Sequence, residues 1–385
     1  MQNQIPPGAL DGLTVLDLSR LLPGPFCSMI LADHGARVIS IEDKRFQADD
    51  FFLNSLYRNK QHISLNLKSQ EGLAIFFKLL DQADVLLEGF RPGAAERLGV
   101  DYQTVRQRHP GLIYCSITGY GQEGPLAGRA GHDVNYLAVS GVLNLIGEPD
   151  RPPSIPAVQL ADIVGGSHQA VQGILLALLA RQRTGRGQYI DISMTDGLLS
   201  LYPLVLHFAN LNGVSPERGR DLLSHKYACY NTYETADGRH LSVGALENRF
   251  WANLCRHLGL DEYIALQYED EHREAIITRL RRIFASKTLA EWEAELEHVD
   301  GCVEPVRTLD EVMQLDLFRQ RGGIQDFPDH TGRTVPSLGL PVRLSETPGS
   351  LRSPPKEFGQ DTEAVLQELG YDRDGFERLQ RDGVV

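Results

Sequence analysis

Three places in the chain carry acid/base side chains in contexts that a plain core segment does not need. His132 stands directly beside Asp133 in AGHDVNYLAVSG (130–141), an otherwise small and apolar stretch. Asp162 lies in VQLADIVGG, just ahead of a long apolar run, and Glu247 in VGALENRFW opens the segment that contains Trp251. An imidazole with two carboxylates is sufficient equipment for moving a proton on and off carbon or oxygen. Each also has an ordinary use. A histidine at a strand-to-helix turn often bonds a neighbouring carbonyl, and an aspartate before an apolar helix is a common N-cap worth about 1 kcal/mol. A glutamate opening a helix is favoured by the helix dipole. No HxH, HxxxH or HxxE spacing supports a metal site, so none is expected; His168 and His225 read as structural.

The elements that must position these groups follow from the apolar periodicity. LTVLDLS (13–19), a helix over 21–35 opened by a Pro/Gly turn, and ARVISIE (36–42) form a strand–helix–strand unit, which implies a parallel sheet. HISLNL (62–67), a helix over 69–83, DVLLEGF (84–90), GLIYCSITGYG (111–121), a helical run over 166–184 and QYIDISM (188–194) continue the pattern. Glu42 closes the second strand, where a dinucleotide fold places a ribose-binding acid. The turn after the first strand, SRLLPGPFCS, lacks G-x-G-x-x-G, so Glu42 reads as a solvating strand-end charge rather than part of an NAD site. Beyond NLNGVSPERGRD (210–221) the composition shifts to a hairpin around Ala-Asp-Gly-Arg (236–239) and to charged-face helices at 248–258, 270–285 and 288–297. The predicted organisation is a large α/β domain over 1–200, a linker over 201–224 and a small α+β domain over 225–325. A C-terminal segment, 326–385, returns to the large domain.

Composition narrows the function classes. The chain has 385 residues, 42% of them hydrophobic and 23% charged, as in an ordinary globular protein of two domains or of one large α/β unit with an insertion. Its net charge is −13 with no Lys/Arg-rich block, which argues against nucleic acid while leaving room for a local basic pocket. Five scattered cysteines without a CxxC pair fit a reducing cytoplasm. MQNQIPPGALDG lacks the charge-then-apolar pattern of a secretory leader, and no run approaches the roughly 18 apolar residues of a membrane span, so no membrane association is expected.

Taken in order, LTVLDLSRLLPGPFCSMILADHGARVISIE (13–42), YRNKQHISLNLKSQEG (57–72), DVLLEGFRPGAAERLGV (84–100), YCSITGYGQEGP (114–125), RTGRGQYIDISMTDGLL (183–199) and PPKEFGQDTEAVLQELG (354–370) resemble the family III CoA-transferase and α-methylacyl-CoA racemase superfamily. AGHDVNY and VGALE (243–247) are similar to the racemase branch in particular. The resemblance implies a Rossmann-like parallel-sheet large domain with a smaller α+β domain, interlocked into a homodimer. Its active site would lie between the large domain of one chain and the small domain of the other.

The implied activity is epimerisation at the α-carbon of a 2-methylacyl-CoA in the cytoplasm, with His132 and Asp162 as the two proton carriers. Glu247, from its own chain or the partner, would hold His132, and the backbone N–H of Asp133 would meet the enolate oxygen. Removing a proton from so weak an acid needs a positioned base and a stabilised enolate, and inversion needs groups on both faces of the enolate plane. Lys44, Arg91, Arg97 and Tyr136 are the implied CoA contacts. Relatives often carry arginine at Lys44, and lysine loses the bidentate fork. RFQADDFF (45–52) departs from the Gly/Pro-containing segment of relatives, which bears on acyl-chain selectivity. No cofactor is expected, coenzyme A being part of the substrate. Two other activities fit the same resemblance: a CoA-transferase with Asp162 as covalent nucleophile, and a non-catalytic acyl-CoA binder.

Overall fold

The computed structural model describes residues 7–47 and 53–385, so the last five residues of RFQADDFF lie outside the described part. Two units separate by their internal contacts: residues 1–140, 157–201 and 315–385 form the first, and 141–156 with 202–314 form the second.

The first unit is built on six strands: β1 (Thr14–Asp17), β2 (Arg37–Glu42), β3 (Lys60–Ser64), β4 (Val85–Glu88), β5 (Ile113–Thr118) and β6 (Tyr189–Ser193). All neighbouring pairs are parallel, in the order β3-β2-β1-β4-β5-β6. Strands covered by helices on both faces have no wet side, and every residue of β4 and β5 is buried. The helices obey local rules. Ser69 accepts from the Gly72 amide at 2.9 Å to start Gln70–Leu80, whose inner face buries Ile75, Phe76, Leu79 and Leu80. Pro23 pre-sets the first turn of Pro23–Asp33. β3 lies at the sheet edge, and residues near the C-terminus cover it. The His62 amide donates to Asp361 Oδ2 at 2.9 Å and the Ser64 amide to Thr362 Oγ1 at 2.9 Å. Val365, Leu366, Leu379, Val384 and Val385 complete the core there. Glu42 is not a free solvating charge: its carboxylate lies 2.7 Å from His62 Nδ1 and accepts from the Gly359 amide at 3.2 Å.

The second unit holds β7 (Tyr230–Glu234), β8 (His240–Gly244) and β9 (Val303–Pro305) as an antiparallel sheet, with the expected turn between β7 and β8. The helices Asn248–His257, Arg273–Phe284 and Leu289–Leu296 pack Trp251, Phe284 and Trp292 against Tyr233. Part of the segment read as a linker is a helix, Pro203–Asn212, opened by Pro203 and closed by a left-handed Gly213. In the first unit, 161–184 forms one continuous helix, about a third buried. By length and composition alone it could cross a membrane, although Asp162, Ser167, His168, Gln169 and Gln172 interrupt its apolar residues.

Candidate active site

A parallel sheet gathers its loops at the carboxyl ends of the strands, and the strand order reverses between β1 and β4. An open cleft of about 1140 Å³ lies there in the first unit, lined among others by His132, Asp162, Tyr136, Arg91 and Arg97. Five adjacent strands each deliver one cation to it. Lys68 follows β3, Arg45 follows β2, Arg20 follows β1, Arg91 follows β4 and Arg129 follows β5; Arg97 adds a sixth. Asp162 is the one acid among the described lining residues. A protein of net charge −13 therefore concentrates positive charge at one mouth, as a polyanionic ligand requires.

The G-H-D-x-N-Y spacing has a mechanical explanation. His132 occupies the N-cap of the helix Asp133–Ser140 with its side chain exposed. Asn135, three residues on, donates its amide N–H to the His132 carbonyl at 2.8 Å, and its Oδ1 accepts from the His132 amide at 3.0 Å. That reciprocal pair fixes the histidine through its backbone and leaves the imidazole unencumbered. Tyr136 donates its hydroxyl to the Gly131 carbonyl at 2.5 Å, pinning the residue before the histidine. The tyrosine ring fits because position 119 is glycine: a Cβ there would stand 2.3 Å from Tyr136 Cε1. Asp133 Oδ1 accepts from the amides of Ala161 at 2.6 Å and Asp162 at 3.0 Å.

Asp162 is accordingly not an N-cap. It is the second residue of a π-helical segment, Ala161–His168, which continues as an α-helix over Gln169–Thr184. Asp133 supplies the cap from another segment, so the Asp162 carboxylate is free to face the cleft. Burial, reinforced by the Asp133 charge and opposed by His132, pushes its pKa up to about 6. A carboxyl titrating there can both take and return a proton near neutrality. Gly165 lets this segment lie on the backbone of Met194–Leu198, since a Cβ would come 2.4 Å from the Met194 carbonyl oxygen. His168 makes an edge-on ring contact with Phe26, centroids 5.9 Å apart, a packing role.

Two expected site residues lie elsewhere. Lys44 does not line the cleft; its Nζ donates to the Val385 carbonyl at 2.7 Å, in a small separate pocket. Glu247 belongs to the second unit, an exposed N-cap of Asn248–His257 whose side chain makes no capping bond. Asp133 is absent from the cleft lining, but its amide and that of Val134, in the open first turn, meet no acceptor among the described residues. The cations at Arg20, Arg45, Lys68 and Arg129, and the bracing role of Asn135, were missed in the sequence. Arg20, Arg45 and Lys68 share one signal, a place just past a strand, which becomes legible only when the strands are ordered; Arg129 and Asn135 lie far along the segment after β5.

The model of CoA-transferase family III matches residues 10–362. The human protein named alpha-methylacyl-CoA racemase is 37% identical over 381 residues, covering 98% of this chain and 97% of its own. Mouse succinyl-CoA:glutarate CoA-transferase is 33% identical over 396 residues, covering 98% and 90%. Among solved structures, a CAIB/BAIF family protein from Brucella suis superposes with a TM-score of 0.83 at 29% identity, covering 94% of this chain and all of the other.

Proposed function

Because this chain belongs to CoA-transferase family III, we propose that it epimerises the α-carbon of a 2-methylacyl-CoA thioester, with His132 and Asp162 as the two proton carriers. The observation that carries the reading is that both line one cation-rich cleft, with the Asp162 pKa raised to about 6. The CoA phosphates are met by Arg91, Arg97 and the neighbouring cations, with Tyr136 beside them. One carrier removes the α-proton, leaving a planar enolate, and the other returns a proton to the opposite face. After one turnover the two have exchanged protonation states, so the reaction runs equally in reverse. The open first turn of Asp133–Ser140 offers amide N–H groups to the enolate oxygen. Glu247, from the small domain of a partner chain, holds the imidazole in one tautomer. The exposed Leu175, Leu176 and Leu179 on the long apolar helix support such a homodimer, because an apolar face of this kind is ordinarily covered.

The test is incorporation of solvent deuterium at the α-position of 2-methylacyl-CoA esters, followed by mass spectrometry. His132→Ala and Asp162→Asn each lower the rate at least about a hundredfold. Exchange at the wild-type rate in both variants would sink the reading.

A second reading draws on the transferases among the relatives. The Asp162 carboxylate would attack the thioester carbonyl and expel the CoA thiolate, giving a mixed anhydride; the thiolate would then attack the Asp162 carbonyl, release the donor carboxylate and leave an aspartyl-CoA thioester. Hydroxylamine trapping of an acyl group at Asp162, with His132→Ala fully active, would favour it. Binding of CoA esters with neither exchange nor transfer would mark a binder without catalysis.

A further inference from the structure

We infer that the Asp133 carboxylate is the positioning group of Asp162: it fixes the start of the helix that carries Asp162 and sets a second negative charge beside it. The inference rests on the proposal that Asp162 carries a proton. Asp133 Oδ1 holds two consecutive amides, Ala161 at 2.6 Å and Asp162 at 3.0 Å, from 28 and 29 residues away in sequence. Leu160, in the N-cap position of that helix, supplies no side-chain bond, so the first turn relies on Asp133. Position and charge are thus coupled in one side chain. The bond that aims Asp162 into the cleft also brings a like charge close to it, and like charge favours the protonated form.

The groups around Asp162 sort clearly. Asp133 raises its proton affinity, His132 lowers it, and Tyr136 from the same helix as Asp133 feels the Asp162 charge in return. The packed neighbours carry Asp196 on Met194–Leu198, Asp191 on β6, Cys115 on β5 and Cys27 on Pro23–Asp33, while the upward shift of Asp162 comes first from burial and then from Asp133. Asp133 is therefore the charged side chain through which the fold tunes this acid upward.

Asp133→Asn separates the two roles, because an amide oxygen still accepts from both N–H groups while the charge is gone. Asp133→Ala removes both. The Asp162 carboxyl carbon is titrated by ¹³C NMR, its resonance assigned with Asp162→Asn, and α-deuterium exchange is followed across pH in parallel. Asp133→Asn lowers the Asp162 midpoint by about one pH unit and moves the pH profile of exchange to lower pH by the same amount. Asp133→Ala lowers exchange about tenfold or more, through lost alignment. An unchanged midpoint in Asp133→Asn overturns the inference, as does wild-type exchange in Asp133→Ala; if the alanine variant fails to fold, the asparagine variant decides alone. Wild-type exchange in Asp162→Asn would instead defeat the proton-carrier reading, while the NMR midpoint would still judge Asp133.

Discussion

His132 owes its exposed imidazole to side chains that grip its backbone and its neighbours, and Asp162 owes its carboxylate to a cap supplied from elsewhere. The residue types were legible because acid/base chemistry needs them. The bracing was not, because Asn135, Tyr136 and Asp133 could each have served as an ordinary polar residue, and only the fold pairs them. The raised Asp162 pKa has a stability consequence. The free carboxyl titrates near 3.8 and the folded one near 6, so stability from the protonated form is full below the lower value and is lost as pH rises through the upper. Asp162→Asn escapes that loss. At about pH 8 the variant gains on the order of 1–2 kcal/mol over wild type once partial exposure is discounted, and at about pH 4 the gain disappears. Urea unfolding at the two pH values measures this, and equal offsets at both would contradict it.

Among the elements, strands β1 to β6 and the amphipathic helices followed from the apolar pattern with small boundary shifts. The helix Pro203–Asn212 escaped notice because its apolar residues show no stripe; Leu204, Leu206 and Leu211 are exposed. The contact between the Asp162 helix and Met194–Leu198 is set by backbone approach. A Cβ at Gly197 would stand 2.2 Å from the Gly165 carbonyl oxygen, the mirror of the constraint at Gly165. Gly165→Ala must therefore push two backbones apart. We expect a destabilisation of about 1–3 kcal/mol or more in urea unfolding, together with slower exchange, since Asp162 is three residues away. A stable, fully active Gly165→Ala enzyme would show that the approach is slack.

Over the whole molecule, the charge pattern was legible only as a requirement. Net acidity called for local cations, Arg91 and Arg97 stood in recognised motifs, and the others came together through the order β3-β2-β1-β4-β5. Lys44 matches the motif by position, yet it does not line the cleft and bonds Val385 instead. The double variant Arg91→Ala/Arg97→Ala raises KM for CoA esters about tenfold or more and weakens its dependence on salt, while Lys44→Ala leaves KM close to wild type. An equal rise in both would restore Lys44 to the site. Assembly has its own test. If Glu247 serves the partner's histidine, mixing inactive His132→Ala and Glu247→Gln chains under exchange conditions regenerates one intact site per mixed dimer. If it serves its own chain, mixing regenerates none.

The π-helical stretch Ala161–His168 also bears on chain length. A π turn holds more residues than an α turn, so the segment amounts to an α-helix with surplus chain stored at its start. One residue deleted between Asp162 and Gln169 would be taken up by tightening to an α-helix, with Gln169–Thr184 undisturbed. The carboxylate would then turn by only a fraction of the about 100° that the same deletion costs in an ordinary α-helix. The stored turn works as a spare residue, through whose loss the acid keeps its aim.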